Sequence, residues 1–168
     1  MRIIYCHHAM RDFGDPPGPN DDITLLGEKD AVLTGQILVA KKNQIKAIYT
    51  SPYLRCRKTA ELVNQSINVP IIEDARLNEY TMWIEGVKQE NWVDLQKRMR
   101  ASLKDIVEKY GDSKDNAVVV VTSGVNVVAF INAIYRLEPS EKAPFIWIPS
   151  CSPMVFDLDK SHFETTNE

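Results

Sequence analysis

Two adjacent histidines, His7 and His8, directly follow a short apolar run at the start of the chain. A histidine at the end of a strand can act as a nucleophile, as a general base or as a contact for phosphate. The alternative is that one is a solvated loop residue and the other a hydrogen-bonded structural residue. The pair alone favours this alternative, so further residues must decide.

Arg55 lies in the segment SPYLRCRKTAELV, which begins with Ser51 and Pro52. A serine followed by proline is typical of a helix start, which predicts that Arg55 lies one turn inside a helix. The start of a helix is electropositive and offers free backbone N–H groups, and an arginine beside it can bind phosphate through two hydrogen bonds. Arg57 and Lys58 fit a solvated basic face.

The elements that must position these residues alternate between strands and helices. Short apolar or β-branched runs predict strands over residues 2–6, 45–50, 69–72, 117–121, 145–148 and 154–158. Helical patterns cover residues 24–42, 51–64, 92–110 and 126–137, the first with Thr24 as cap and Ala31, Leu33, Ile37, Leu38 and Ala40 as apolar positions, the third closed by Gly111. Residues 76–89 are irregular.

This alternation predicts an α/β fold, a three-layer α/β/α sandwich with a mostly parallel sheet. In such folds the chemistry lies beyond the carboxyl ends of the strands. The segments expected there are His7-His8, residues 51–55, Glu79 and Ser123-Gly124.

Length and composition agree with one domain over residues 1–168. The net charge of −3 does not favour binding of nucleic acid, and Ala117–Tyr135 fits a strand, turn and helix better than a membrane span. Three widely spaced cysteines favour a reducing, cytoplasmic location over a disulfide framework, and no Cys/His spacing suggests a metal site. We expect no cofactor, and the oligomeric state is open.

The motifs together resemble those of the histidine phosphatase superfamily, the phosphoglycerate mutase-like proteins. The first family motif is a strand followed by Arg-His-Gly or Arg-His-Ala, and here the strand is followed by His7-His8-Ala9. An alignment one residue earlier would make His7 the nucleophile but would lose the match at Ala9.

The other motifs are in register with the first. Residues 23–31, with Gly35, are similar to Leu-Thr-x-x-Gly-x-x-Gln-Ala, and Ser-Pro-x-x-Arg-x-x-x-Thr-Ala is matched fully by residues 51–60. Residues 76–79, with Gly86 downstream, resemble the segment of the family's proton donor. The strand that ends in Ser-His-Gly in the family ends here in Thr122-Ser123-Gly124.

The resemblance implies phosphomonoester hydrolysis through a phosphohistidine at His8, with Arg55 as phosphate clamp and Glu79 as general acid. The expected phosphate-binding residues are His7, Arg55, Ser123 and Gly124. Two of the four core positions differ, because His7 replaces the family's first arginine and Ser123 replaces its second histidine. Low or unusual activity is therefore expected, and Arg11 is a candidate to replace the missing arginine.

Two alternatives remain beside the enzyme. The first is an inactive phosphatase-like protein that binds a phosphorylated ligand, and the second is a protein that binds a partner, which exposed tryptophans among Trp83, Trp92 and Trp147 would support. The sequence leaves the substrate open, since the resemblance allows sugar phosphates, nucleotides, phosphoproteins and others. A small phosphorylated substrate or phosphate is the expected partner. Residues 12–22 and 78–89 are the expected specificity loops.

Overall fold

The structure, a computed structural model, describes residues 1–12, 18–81, 89–135, 148–159, 161 and 163. The predicted strand at residues 145–148 lies outside these residues except for Ile148, which is not in a strand. Trp83, Trp147 and Gly86 also lie outside them. The described strands are β1 (Arg2–His7), β2 (Ile45–Thr50), β3 (Ile71–Glu73), β4 (Ala117–Thr122) and β5 (Pro153–Asp157). The helices are α1 (Leu25–Leu38), α2 (Leu54–Ile67), α3 (Trp92–Tyr110) and α4 (Val127–Tyr135). Short 3-10 turns cover Val39–Lys41, Ala75–Leu77 and Gly124–Asn126.

The strands form one sheet in the order β3-β2-β4-β1-β5. The first four run parallel, and only β5 pairs antiparallel, with β1. Every residue of the central strand β4 is buried, which explains its unbroken Ala-Val-Val-Val-Val sequence. The predicted α/β fold with a mostly parallel sheet is confirmed.

Helices cover both faces of the sheet. Alternate residues of β1 and β4, such as Ile4 and Val119, pack with α1 and α2, whereas Ile3 and Val118 pack with α3 and α4. Trp92 belongs to the second cluster and is buried, so it contributes no exposed aromatic surface. Of the helices in the described ranges, none is long and apolar enough to cross a membrane.

Two details of the predicted helices are wrong. Helix α2 begins at Leu54 rather than at Ser51, because the Ser51 hydroxyl bonds to Asn78 and to the backbone of Tyr53 instead of capping the helix. Leu33 and Ile37 of α1 are exposed rather than in the core, because α1 packs on α2 through the face that carries Ala31 and Leu38. Ala40 is exposed as well, since it lies in the 3-10 turn beyond the end of α1.

Candidate active site

The carboxyl ends of the parallel strands bring the expected residues to one edge of the sheet. His7 pairs with Thr122 in the register of β1 and β4, and the His8 backbone donates a hydrogen bond to the Thr122 carbonyl over 2.9 Å. The Ser51 backbone likewise bonds to Val121. His7, His8, Ser123 and the start of α2 therefore lie side by side, as the order of elements predicts.

The side chain of His8 is held with one nitrogen bound and the other available. Its Nδ1 lies 2.7 Å from the carbonyl oxygen of Ala9. A carbonyl can only accept, so Nδ1 carries the proton and Nε2 keeps its lone pair. Burial, and then repulsion from His7 when it is protonated, from Arg55 and from Arg11, holds the pKa of His8 well below its usual range. His8 is therefore neutral at pH 7.

The loop that carries His8 is fastened to two helices. The Ala9 backbone donates to Thr59 Oγ1 over 2.9 Å, and the same hydroxyl donates to the Arg55 carbonyl over 2.6 Å. On the other side, Gly27 of α1 approaches so closely that a Cβ would lie 2.7 Å from the Met10 carbonyl oxygen. These contacts explain why Thr59 and Gly27 recur in the motifs.

His7 lies against His8, with ring centroids 4.5 Å apart in an edge-to-face arrangement. Its Nδ1 lies 2.9 Å from the Ile148 carbonyl oxygen, so Nδ1 is the protonated nitrogen. Burial lowers the pKa of His7, against opposing effects of the Ile148 carbonyl and the Glu79 carboxylate. At neutral pH His7 therefore adds no positive charge to the site.

Arg55 lies at the second position of α2 and its side chain is fully buried. One guanidinium nitrogen donates to the Gly18 carbonyl over 2.9 Å and another binds the Glu79 carboxylate. Within the described part of the chain, Nε has no hydrogen-bond partner. The Tyr53 ring lies 4.9 Å from the guanidinium carbon and covers one side of it. One of the expected free N–H groups at the helix start is occupied, since Leu54 donates to the Pro19 carbonyl.

Glu79 is mostly buried, with 13% of its side chain exposed. The residues before it are fastened to the sheet edge: Thr122 Oγ1 donates to the Leu77 carbonyl over 2.5 Å, and Asn126 donates to the Asn78 carbonyl over 2.9 Å. Asn78 also accepts from the Ser51 hydroxyl over 2.7 Å. The segment therefore holds Glu79 at Arg55, and the expected acid and the expected clamp form an ion pair.

Arg11 pairs with Asp21 at 3.6 Å. Its backbone forms an isolated antiparallel bridge with Ile23. Asp21 also accepts from the Gly18 backbone over 3.1 Å, and Gly18 in turn accepts from Arg55. Arg11 and Arg55 thus both contact the loop that contains Gly18 and Asp21. The charges of both arginines lower the pKa of His8.

Ser123 and Gly124 close the site beside His7. Ser123 is buried, and its carbonyl accepts from the Tyr5 hydroxyl over 2.5 Å and from the Asn126 backbone over 3.0 Å. These bonds fix the turn between β4 and α4. The turn presents Gly124 directly to the His7 ring.

A cleft of about 350 Å³ lies next to Glu79. The residues that line it are Tyr53, Ala75, Asn78, Thr81, Gln89, Glu90, Asp94 and Arg98. Arg98 is held by a two-pronged ion pair with Glu90, with bonds of 2.6 and 2.7 Å. Among the described residues the cleft is therefore polar, and Asp94 is a carboxylate in it without a guanidinium partner of its own.

The sequence included Tyr53, Gly18 and Asp21 in segments expected at the site but gave none of them a role of its own. The position of Tyr53 inside the Ser51–Arg55 segment is a signal that could have drawn attention to it, whereas Gly18 and Asp21 act through loop contacts that no motif records. In the described ranges no group of His, Cys, Asp or Glu side chains could hold a metal ion.

Comparison with known proteins agrees with the fold and the motifs. The family model of the histidine phosphatase superfamily (branch 1) matches residues 15–87 and 80–167. The chain therefore belongs to the histidine phosphatase superfamily. Comparison with curated protein sequences found no match to the chain.

Solved structures of the same fold cover nearly the whole chain. YhfR of Bacillus stearothermophilus has a TM-score of 0.79 at 21% identity, with 98% of this chain and 95% of that one covered. A mycobacterial glucosyl-3-phosphoglycerate phosphatase in complex with VO3 has a TM-score of 0.76 at 19% identity, covering 92% and 90%. The protein histidine phosphatase SixA, complexed with tungstate, has a TM-score of 0.70 at 19% identity, covering 96% and 91%.

Proposed function

We propose that this protein hydrolyses phosphomonoesters through a phosphohistidine intermediate on His8. The observation that carries the proposal is the hydrogen bond from His8 Nδ1 to the Ala9 carbonyl, which leaves a lone pair on Nε2. A nucleophile must be unprotonated, and burial keeps His8 in that form. Membership of the superfamily supports phosphatase chemistry.

The reaction needs two steps. The His8 Nε2 lone pair forms a bond to phosphorus while the bond from phosphorus to the leaving oxygen breaks, and Glu79 gives that oxygen a proton. Water then attacks phosphorus, its proton returns to Glu79, and the bond to Nε2 breaks to release phosphate. His8 regains its lone pair at the end.

Arg55 is the proposed clamp for the transferred group. Its Nε–H has no partner among the described residues, and an anion oxygen would satisfy this buried donor. The phosphoryl group must also compete with Glu79 for the other nitrogen, since Arg55 and Glu79 are paired. Entry of substrate therefore opens that pair, and the freed Glu79 carboxylate takes up a proton from solvent, which it then passes to the leaving oxygen. When phosphate leaves, Glu79 returns that proton to solvent and pairs with Arg55 again.

Arg11 is the proposed second cation. Its charge lowers the pKa of His8, and it lies only three positions after His8 in the chain. The same loop also contacts Arg55. Its ion pair with Asp21 is 3.6 Å long, which is looser than a direct charge-assisted hydrogen bond. His7 and Ser123 complete the pocket as hydrogen-bonding groups without charge at neutral pH.

The experiment is phosphate release from an aryl phosphate at pH 5.5 and 7.5 by wild type and His8→Ala. We expect activity in the wild type and its loss in the variant. Arg55→Ala should lower activity by roughly 10²–10³-fold, as for loss of one preorganised donor. Arg57→Ala is the matched control, because Arg57 is half exposed and pairs only loosely with Glu73 at 3.9 Å.

Rapid quenching followed by mass spectrometry locates the intermediate. One added phosphoryl group on the peptide that contains His8 is expected, and an adduct on the His7 side chain would overturn the assignment of the nucleophile. Activity that survives His8→Ala would overturn the mechanism.

A second function is favoured by the replacement of the family's charged residue with neutral His7: an inactive protein that binds a phosphorylated ligand. It predicts that inorganic phosphate binds to the wild type, in an Arg55-dependent manner, while no substrate is turned over. Calorimetry with inorganic phosphate separates this outcome from a vestigial pocket, which would bind nothing.

A further inference from the structure

The side chain of Asn126 bonds to the backbone on both sides of Glu79. Its Nδ2 group donates to the Asn78 carbonyl over 2.9 Å, and its Oδ1 accepts from the Tyr80 N–H over 3.1 Å. Because the carbonyl can only accept and the N–H can only donate, these two partners fix which way the amide points. One side chain therefore holds both the residue before Glu79 and the residue after it.

Asn126 is itself held firmly by the sheet edge. It is fully buried, and its backbone N–H donates to the Ser123 carbonyl over 3.0 Å in the turn that follows β4. Its Nδ2 group also donates to Thr122 Oγ1 over 2.9 Å. A different rotamer would leave buried polar atoms without partners, which is costly. The end of β4 thus sets the position of Asn126, and Asn126 passes it on to the backbone around Glu79.

This amide clamp becomes important when substrate enters. In the proposed function the phosphoryl group opens the ion pair between Glu79 and Arg55. The Glu79 side chain then loses its bond to the guanidinium, and its position depends on the backbone that carries it. The bonds of Asn126 to residues 78 and 80 do not involve Arg55, so they persist when the ion pair opens.

We infer that Asn126 is the positioning residue for the general acid, and that it keeps the Glu79 carboxyl within reach of the leaving oxygen after Arg55 has bound the phosphoryl group. This inference rests on the proposed function, in which Glu79 protonates that oxygen. Asn126 acts through the backbone of Glu79 and not on the reacting atoms. General acid catalysis contributes roughly 10²–10⁴-fold and depends on geometry, so a displaced segment should lose much of that contribution.

Leaving groups of different basicity separate this role from a merely structural one. The phenolate released from 4-nitrophenyl phosphate is weakly basic and needs little help from an acid, whereas that from phenyl phosphate is far more basic. Asn126→Ala should therefore lower kcat/KM for phenyl phosphate by about tenfold or more, and that for 4-nitrophenyl phosphate by less than about threefold. Any change in phosphate binding at Arg55 is common to both esters and cancels in the ratio of the two values.

Asn64→Ala is the matched control, because Asn64 forms the same kind of clamp far from the site. Its amide donates to the Val69 carbonyl over 2.8 Å and accepts from the Val69 N–H over 2.9 Å. Asn64 lies nine positions after Arg55 on α2, about 13 Å along the helix axis. The control should leave the ratio of the two kcat/KM values unchanged. Should the cavity in Asn126→Ala prevent folding, Asn126→Leu fills the space, removes the same bonds and carries the same expectation.

The same measurement in a Glu79→Gln background shows whether Asn126 acts through Glu79. Asn126→Ala should add less than about twofold to the loss that Glu79→Gln causes with phenyl phosphate, because two changes to one function are not additive. An equal loss for the two esters, or a full additional loss in Glu79→Gln, would overturn the role of Asn126 and leave the phosphatase standing. A wild type that releases no His8-dependent phosphate from either ester would instead overturn the proposed function, and the role of Asn126 with it.

Discussion

Gly124 lies directly against the imidazole ring of His7. A Cβ at this glycine would be 2.8 Å from His7 Cε1 and 2.9 Å from Nδ1, closer than real Cβ atoms approach other heavy atoms. The ring also bonds to the Ile148 carbonyl at 2.9 Å, so it is held from two sides. The glycine after β4 thus sets the position of the His7 side chain.

Gly124→Ala should therefore displace His7 and disturb His8 through their edge-to-face contact. We expect the affinity for inorganic phosphate and kcat/KM for an aryl phosphate both to fall, by about tenfold or more, because small displacements of catalytic groups are costly. Calorimetry and steady-state kinetics measure the two effects. Gly18→Ala is the control, since a Cβ there meets nothing closer than 3.9 Å. Unchanged kinetics in Gly124→Ala would show that the position of His7 is unimportant.

The dependence of activity on pH should reveal the charge of His7. Burial lowers the pKa of His7, and lowers that of His8 further, so there is a pH range in which His7 is protonated while His8 is still a neutral nucleophile. We expect kcat/KM to be low at pH 7.5, to rise below about pH 6.5, the ordinary histidine value, and to fall again once His8 is protonated.

His7→Gln separates this effect from titration of the substrate itself. The variant should lose the rise on the acid side and keep the final fall. A flat wild-type profile between about pH 5 and 8 would mean that protonated His7 does not stand in for arginine.

The stability of the fold should also depend on pH through His8. Its pKa is lowered in the folded state, so below about pH 6.5 the unfolded chain binds a proton that the folded chain does not. The free energy of unfolding should therefore fall with decreasing pH by up to about 1.4 kcal/mol per pH unit from this group alone. Above that pH His8 is neutral in both states and contributes no slope.

Urea unfolding of wild type and His8→Gln at pH 7.5 and 5.5 measures the contribution. The variant should lose about 1 kcal/mol less than the wild type between the two pH values, because glutamine does not titrate. Equal losses in the two proteins would contradict a neutral, buried His8.

Much of the fold follows from the sequence because local signals and tertiary packing agree. Helix α3 begins and ends where predicted, since Asn91 caps one end and Gly111 the other. Strand β4 is an unbroken β-branched run in the sheet centre. Where tertiary contacts compete with local ones the prediction fails, as at Ser51, whose hydroxyl bonds to Asn78 rather than capping α2.

The positions of the site residues could be predicted, but not their chemical states. Parallel strands that end at one edge of the sheet bring the backbones of His7, His8 and Ser123 together, whichever rotamers their side chains adopt. The orientation of the His8 ring depends on the Ala9 carbonyl, and the pairing of Arg55 with Glu79 depends on the loop around Gly18. These are single contacts that no spacing in the sequence encodes.

Thr59 joins the loop of His8 to helix α2 and should be a source of stability. Its hydroxyl accepts from the Ala9 N–H and donates to the Arg55 carbonyl, and the residue is fully buried. Thr59→Val keeps the shape but leaves the Ala9 N–H without an acceptor. We expect a loss of about 1–3 kcal/mol in the free energy of unfolding, measured by urea titration.

Thr34→Val is a milder comparison for Thr59→Val. The Thr34 hydroxyl also bonds to two backbone carbonyls, of Asp30 and Cys151, but its removal strands no backbone N–H. The loss in Thr34→Val should be smaller. An equal or greater loss in Thr34→Val would argue against an unsatisfied Ala9 N–H as the cause.

The cleft beside Glu79 should select the leaving group by charge. Arg98 is already neutralised by Glu90, so Asp94 gives the described lining an excess of negative charge. A sugar monophosphate, whose leaving group is neutral and rich in hydroxyls, should be hydrolysed with higher kcat/KM than a phosphoglycerate, whose leaving group carries a second anion.

Asp94→Asn should raise kcat/KM for the phosphoglycerate by about three- to tenfold, within the range of a partly screened charge interaction. The same variant should leave kcat/KM for the sugar phosphate nearly unchanged. Glu108→Gln removes an exposed carboxylate from the same helix without touching the cleft and should change neither. The discrimination should also shrink as salt rises, because exposed charges are screened. Equal rates for the two substrates in the wild type at low salt would show that the leaving group does not enter this cleft.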